Sequence, residues 1–142
     1  VDLASGTAAT ELGLPVAGTT AIDTLVPLAL DIRPSGEDIT FGGVSHFDIT
    51  TGQDGITGVA VEPASSSVWS AISTELRARA SAWGWSDADL ATFGDQVGAA
   101  ARDEGVASTV SLPAVASGGL TIPAAVNVTD GGSLQLVYTL TR

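Results

Sequence analysis

Residues 25–31 read LVPLALD, and residues 50–61 read TTGQDGITGVAV. The first is an apolar run with Pro27 near its start and the carboxylate of Asp31 at its close. A short apolar run bounded by turn residues reads as a buried strand, here over residues 25–32. The second is a tight turn around Asp54-Gly55 that feeds another apolar strand over residues 56–61. Asp-Gly between two apolar runs is a strong hairpin signal, because glycine tolerates the positive φ that such turns require. Gly58 interrupts the second strand and predicts a close approach by a neighbouring element, and Pro63 ends it.

Between these runs the chain stays in the same period. Arg33-Pro34-Ser35-Gly36 is a turn. Residues 38–50 alternate loosely through Ile39, Phe41, Val44, Phe47 and Ile49. Gly42-Gly43 predicts a bulge or a break into two strands. Upstream, residues 1–24 are rich in Ala, Gly and Thr and are interrupted by Gly13, Pro15 and Gly18. They read as an extended N-terminal arm, of a kind that can add a strand to a partner's sheet edge through main-chain pairing.

The period changes over residues 65–82. Trp69, Ile72, Leu76, Arg79 and Trp83 recur at helical spacing, with Ser66 or Ser67 as the expected N-cap and Gly84 as the left-handed terminator. Ser86-Asp87-Ala88-Asp89 resembles a capping box and opens a second helix with the stripe Leu90, Phe93, Val97 and Ala101. Gly94 and Gly98 share one of its faces, where a neighbour can come close. Three further strands are expected over residues 106–115, 120–128 and 133–141, the last two forming a hairpin through Asp130-Gly131-Gly132. Leu134, Leu136, Tyr138 and Leu140 define the buried face of the final strand. Strands, a helical pair, then strands predict a β-rich α+β domain over residues 25–142 behind the arm 1–24, with residues 106–142 as a possible C-terminal β sub-lobe.

Bulk properties narrow the function. The 142-residue chain carries a net charge of −11, contains no lysine, and has Arg33, Arg77, Arg79, Arg102 and Arg142 as its only cations. Binding a phosphate backbone needs clustered cations, so no nucleic-acid partner is expected, and anionic membrane surfaces are disfavoured for the same reason. No window of 18 apolar residues exists, and no basic region followed by an apolar core marks a signal peptide, although one already removed would leave no trace. The absence of cysteine excludes disulfides, thiolate metal sites and cysteine nucleophiles.

Catalytic patterns are also missing. His46 is the only histidine, with Ser45, Asp38 and Asp48 nearby. On a strand, Ser45 and His46 point to opposite faces, and His46 and Asp48 lie about 7 Å apart along one face, too far for contact without a bend. No G-x-S-x-G elbow and no phosphate-binding glycine fingerprint is present. Asp48, Asp54 and Glu62 surround one turn but lack the alternating oxygen-ligand pattern of a calcium loop. The expectation is therefore a protein that is not an enzyme and has no metal or cofactor. Trp85, in the turn between the helices, is a candidate interface anchor, with core packing as its competing role.

The strand pair over residues 25–31 and 50–61 resembles that of lambda-type tailed-phage head decoration proteins, which cement a capsid from outside. The resemblance implies a virion structural protein on the outer capsid surface. It would bind the major capsid protein as a homo-oligomer, a trimer, at local three-fold positions. Residues 1–24 would be the arm that pairs with the capsid, with Leu12, Leu14, Pro15 and Val16 as partner-binding residues alongside Trp85. Residues 65–104 stand where that family has shorter structure, and residues 106–142 have no counterpart in it. An acidic protein suits the outside of a shell, away from packaged DNA. The alternatives are a phage tail or neck structural protein, and a secreted acidic binding or adhesion module that uses Trp85 and the Asp54 turn.

Overall fold

A computed structural model describes residues 1–64 and 67–142. The order is β1 (Gly18–Ile32), β2 (Ile39–Gly52), β3 (Gly55–Val61), α1 (Trp69–Trp83), α2 (Asp87–Arg102), β4 (Ser108–Ser111), β5 (Val115–Ser117), β6 (Leu120–Ile122), β7 (Ala124–Val128) and β8 (Leu134–Thr141). The chain is a β-rich α+β protein, with the expected strand–helix–strand order and an open antiparallel sheet. It divides into two compact units. The first holds Val1–Ala64, Ala116–Ile122 and Thr139–Arg142; the second holds Ser65–Val115 and Pro123–Tyr138. Residues 106–142 are thus shared between the units.

In the first unit, β1 pairs with β2 and β2 with β3, and β3 is followed by the end of β8, then β6 and β5. β1 is an edge strand. The core of this unit includes Phe41, Val44, Phe47 and Ile49 of β2, and Ile56, Val59 and Val61 of β3, all buried. The step from Phe41 to Val44 is three residues rather than two, so one residue must be absorbed to keep both side chains inside. Gly42-Gly43 absorbs it as a bulge within a continuous β2, with Gly43 at φ +67°. Gly58 meets the close approach expected of it: an added Cβ would lie 3.2 Å from the Leu140 carbonyl oxygen.

The N-terminal residues are held rather than free. The Leu3 N–H donates to the Arg33 carbonyl at 2.9 Å, and the Arg33 N–H to the Val1 carbonyl at 2.8 Å. Leu3 and Ala9 are buried, and residues 18–24, expected as part of the arm, are the first half of β1. The Asp54-Gly55 turn joins β2 to β3 as expected, and Gly55 has a second role. It sits at φ +103°, and a Cβ there would fall 2.4 Å from the Thr7 carbonyl oxygen. Gly55→Ala is therefore expected to cost about 2 kcal/mol, from strained backbone and a clash with main chain that has no side chain to swing away. Urea titration checks the value, and a loss within about 0.5 kcal/mol would show that residues 5–8 move aside freely.

In the second unit, β4 pairs with β7, and β7 forms the expected hairpin with β8, in register from Val128↔Leu134 to Ala124↔Tyr138. Residues 120–128, expected as one strand, are two, because Pro123 has no N–H to continue the ladder. Ile72, Leu76 and Trp83 of α1, and Phe93 and Val97 of α2, point inward. Ser66, one expected cap of α1, lies outside the described residues. The cap position is Val68 rather than Ser67, and no side chain caps it. α2 carries the capping box in full: the Asp89 N–H donates to Ser86 Oγ, and the Ser86 N–H to the Asp89 carboxylate. These hydrogen bonds favour the charged form and hold the Asp89 carboxyl below its usual range. Gly94 receives the Trp69 ring, whose Cζ2 would stand 3.1 Å from an added Cβ.

Candidate interaction surface

The largest departure from the expected strand lies in β1. β1 and β2 pair regularly from Gly18↔Thr51 to Asp23↔His46, and pairing resumes only at Leu28↔Val44. Five residue steps on β1 there meet two on β2, so the edge strand loops out. The residues of that excursion are Thr24, Leu25, Val26 and Pro27. Leu25 is 105% exposed, Val26 72% and Leu28 37%. The buried strand expected over residues 25–32 is therefore buried only at Leu30 and Ile32. The register of β2 decides this: Leu30 and Ile32 face its core side opposite Phe41 and Ile39, while the excursion has no partner strand to lie on. Thr24 holds its base, its hydroxyl lying 3.3 Å from the carbonyls of Val44 and Ser45.

Edge strands are commonly blunted by bulges and proline, which prevent indiscriminate strand pairing. This edge carries both devices and still presents four consecutive apolar residues, Leu25-Val26-Pro27-Leu28, to solvent. Burying one such leucine or valine on a partner is worth about 1.5–3 kcal/mol. Pro27 limits the conformations of the excursion, which lowers the entropy lost on docking.

A second apolar feature lies in the same unit. Leu12, Leu14, Ile22, Ile49 and Ile56 line a cavity of about 300 Å³, together with Ser5 and Thr7. Two of the expected partner-binding residues, Leu12 and Leu14, are among its lining. Leu12 and Val16 are about half exposed, and Leu14 is partly covered. Pro15 is exposed, and its carbonyl accepts from the buried Thr51 hydroxyl at 2.8 Å, which ties this segment to β2.

Trp85 belongs elsewhere. It is 5% exposed, its indole N–H donates to the Pro113 carbonyl at 2.8 Å, and its ring stacks on Tyr138 with centroids 6.4 Å apart. The expectation that Trp85 anchors a partner is corrected: a tryptophan whose face and N–H are both spent inside the second unit has no surface to offer. Asn127, the acceptor of an Asn-Val-Thr glycosylation pattern, is likewise engaged, accepting from the Thr109 hydroxyl at 2.9 Å.

The charged groups beside the excursion form one cluster. The pairing of Asp23 with His46 brings Asp23 Oδ1 to 2.7 Å from His46 Nδ1. On the other side of the ring, His46 Nε2 lies 3.6 Å from Asp48 Oδ1. The contact with Asp48, expected to be out of reach, forms because the two side chains lean together across the spacing of their Cα atoms. The contact with Asp23 had no signal in the sequence, since it depends on cross-strand register. The hydrogen bond to Asp23 is the largest influence and raises the imidazole pKa; partial burial opposes it, and the nearby charges of Glu62, Asp23 and Asp48 add to the rise, leaving the pKa above its usual value. Both ring nitrogens thus face carboxylates, and the cluster contains no hydroxyl poised as a nucleophile. Among the described residues, no three His, Asp or Glu side chains converge on a point that could hold a metal ion.

The second unit has an open cleft of about 640 Å³ between α1 and α2, lined by Trp69, Leu76, Arg77, Asp87, Leu90 and Asp95 among others. Its polar groups come from the exposed faces of both helices. No protein-family profile, no curated protein and no solved structure matches the chain.

Proposed function

We propose that this chain is a non-catalytic structural protein that docks on another protein through the apolar excursion of β1. The reading extends to a capsid decoration protein that binds the outer surface of a major capsid protein as a homo-oligomer, three copies to a site. The observation that carries docking is the exposed Leu25-Val26-Pro27 looped out of an edge strand, with the exposed Leu28 beside it where pairing resumes. The particular partner rests on the resemblance of residues 25–31 and 50–61 to lambda-type decoration proteins. A net charge of −11 without lysine supports a position outside a nucleic-acid-filled shell. The carboxylates of Asp23 and Asp48 beside the excursion favour a partner with an apolar socket and a cationic rim.

Quantitative mass spectrometry of purified virus particles from the source culture, scaled to the major capsid protein, tests this reading. A copy number near that of the capsid subunit is the expected result. Copies far below that level would assign the protein to the tail or neck, and absence from particles would overturn the virion reading.

A further inference from the structure

The excursion of β1 begins immediately after the pair in which two titratable side chains, Asp23 and His46, join β1 to β2. Asp23↔His46 is the last regular pair before the register breaks, and the hydroxyl of Thr24, the next residue, fastens the start of the excursion to the β2 main chain. We propose that Asp23, His46 and Asp48 form a pH-gated clasp at the base of the Thr24–Pro27 excursion, closed when the imidazole is protonated and loosened when it is neutral.

The geometry supports the two states. A protonated imidazole has two N–H donors. One reaches Asp23 on β1 at 2.7 Å, and the other faces Asp48 on β2 at 3.6 Å. The ring then ties the edge strand to its neighbour and offsets two carboxylates. Glu62, just beyond β3, adds a third negative group to the same neighbourhood. Arg33, the cation nearest in sequence, is at the far end of β1 beside Asp38 at 3.6 Å. Loss of the proton leaves one donor for two carboxylates. The bond to Asp23 or the contact with Asp48 must then be given up, and Asp23, Asp48 and Glu62 repel one another without a neutralising partner. The cost falls on the strand with fewest other ties, which is the edge strand at its excursion.

The direction of the pH dependence follows from linkage. The folded-state pKa of His46 lies above its unfolded value, so the stabilisation is fully present below about pH 6.5 and is lost as pH rises through the folded value. The excursion is held most firmly under mildly acidic conditions and opens toward alkaline ones. The consequence for partner docking rests on the function proposed above; the clasp itself does not.

Amide hydrogen exchange and NMR on the isolated full chain test the clasp without any partner, so its failure is distinct from failure of the docking reading. The His46 ring resonances are expected to titrate with a midpoint above about 6.5, and Asp23→Asn is expected to bring that midpoint back toward it. After correction for intrinsic rates, exchange at Thr24, Leu25, Val26 and Leu28 is expected to rise at least about threefold between about pH 5.5 and about pH 8.5, with no such step in His46→Gln. A midpoint at or below 6.5, a flat wild-type profile, or the same step in His46→Gln would each overturn the clasp. Should His46→Gln fold poorly, the Asp23→Asn midpoint and exchange profile decide the same question.

Discussion

On the docking role proposed above, Leu25→Asp is expected to abolish binding to virus particles while leaving the fold intact. The side chain is fully exposed, so the substitution should change unfolding free energy by no more than about 0.5 kcal/mol. At a docked interface the same change removes the burial of a leucine, about 1.5–3 kcal/mol, and forces a carboxylate into an apolar socket. Together these predict at least about a hundredfold loss of affinity, since each 1.4 kcal/mol is about tenfold. Leu25→Ala, which lacks the charge, should lose about tenfold. Co-sedimentation with purified particles, alongside thermal unfolding followed by circular dichroism, separates the two quantities. Full binding by a folded Leu25→Asp protein would move the interface away from the β1 excursion.

Tyr138→Ala is expected to have the opposite profile, a large loss of stability from a residue with no exposed surface. Tyr138 of β8 is fully buried. The Trp83 ring meets it edge-on at 5.2 Å, the Trp85 ring stacks on it at 6.4 Å, and the Arg79 guanidinium lies 5.9 Å from its centroid. Burial, with the negative charge of Glu75 behind it, pushes the phenol pKa above its usual range, so the ring is neutral at any pH where the protein is handled. Truncation leaves a cavity within a cluster of three aromatic side chains that come from the end of α1, the interhelical turn and β8. Aromatic-to-alanine changes at buried sites cost about 3–5 kcal/mol, a large share of the stability of a domain this size. Urea denaturation followed by tryptophan emission reads the effect directly, because Trp83 and Trp85 report on the same cluster. A loss below about 1 kcal/mol would mean that the cluster collapses into the gap and contributes little.

These two positions mark what the sequence made legible. Leu136, Tyr138 and Leu140 alternate on one face of a strand, and all three are buried there. The capping box at Ser86 and the glycine at Gly84 are local devices, so they could be read from neighbouring residues alone. The Asp54-Gly55 turn is legible for the same reason. The α+β class follows from where period two gives way to period 3.6 and returns.

Trp85 shows the limit of such reading. Its position in a turn left its exposure undetermined, and Pro113, 28 residues further on, closes over its N–H. His46 and Asp23 are 23 residues apart and meet only because β1 and β2 adopt one register among several that their loose alternation allows.

By itself the sequence determined the strand–helix–strand order, the Asp54-Gly55 turn, the helix-ending Gly84 and the capping box at Ser86, the alternating buried face of β8, and the absence of lysine and cysteine. All of these depend on spacings of a few residues or on composition. Only the tertiary structure decided that LVPL stands in solvent rather than in the core. Hydrophobicity sets a preference for burial, but the pairing register of a strand decides which residues have a neighbour to be buried against. Gly42-Gly43 keeps Phe41 and Val44 inside on β2, β1 loops out opposite the neighbouring stretch, and an apolar run that reads as core becomes exposed surface.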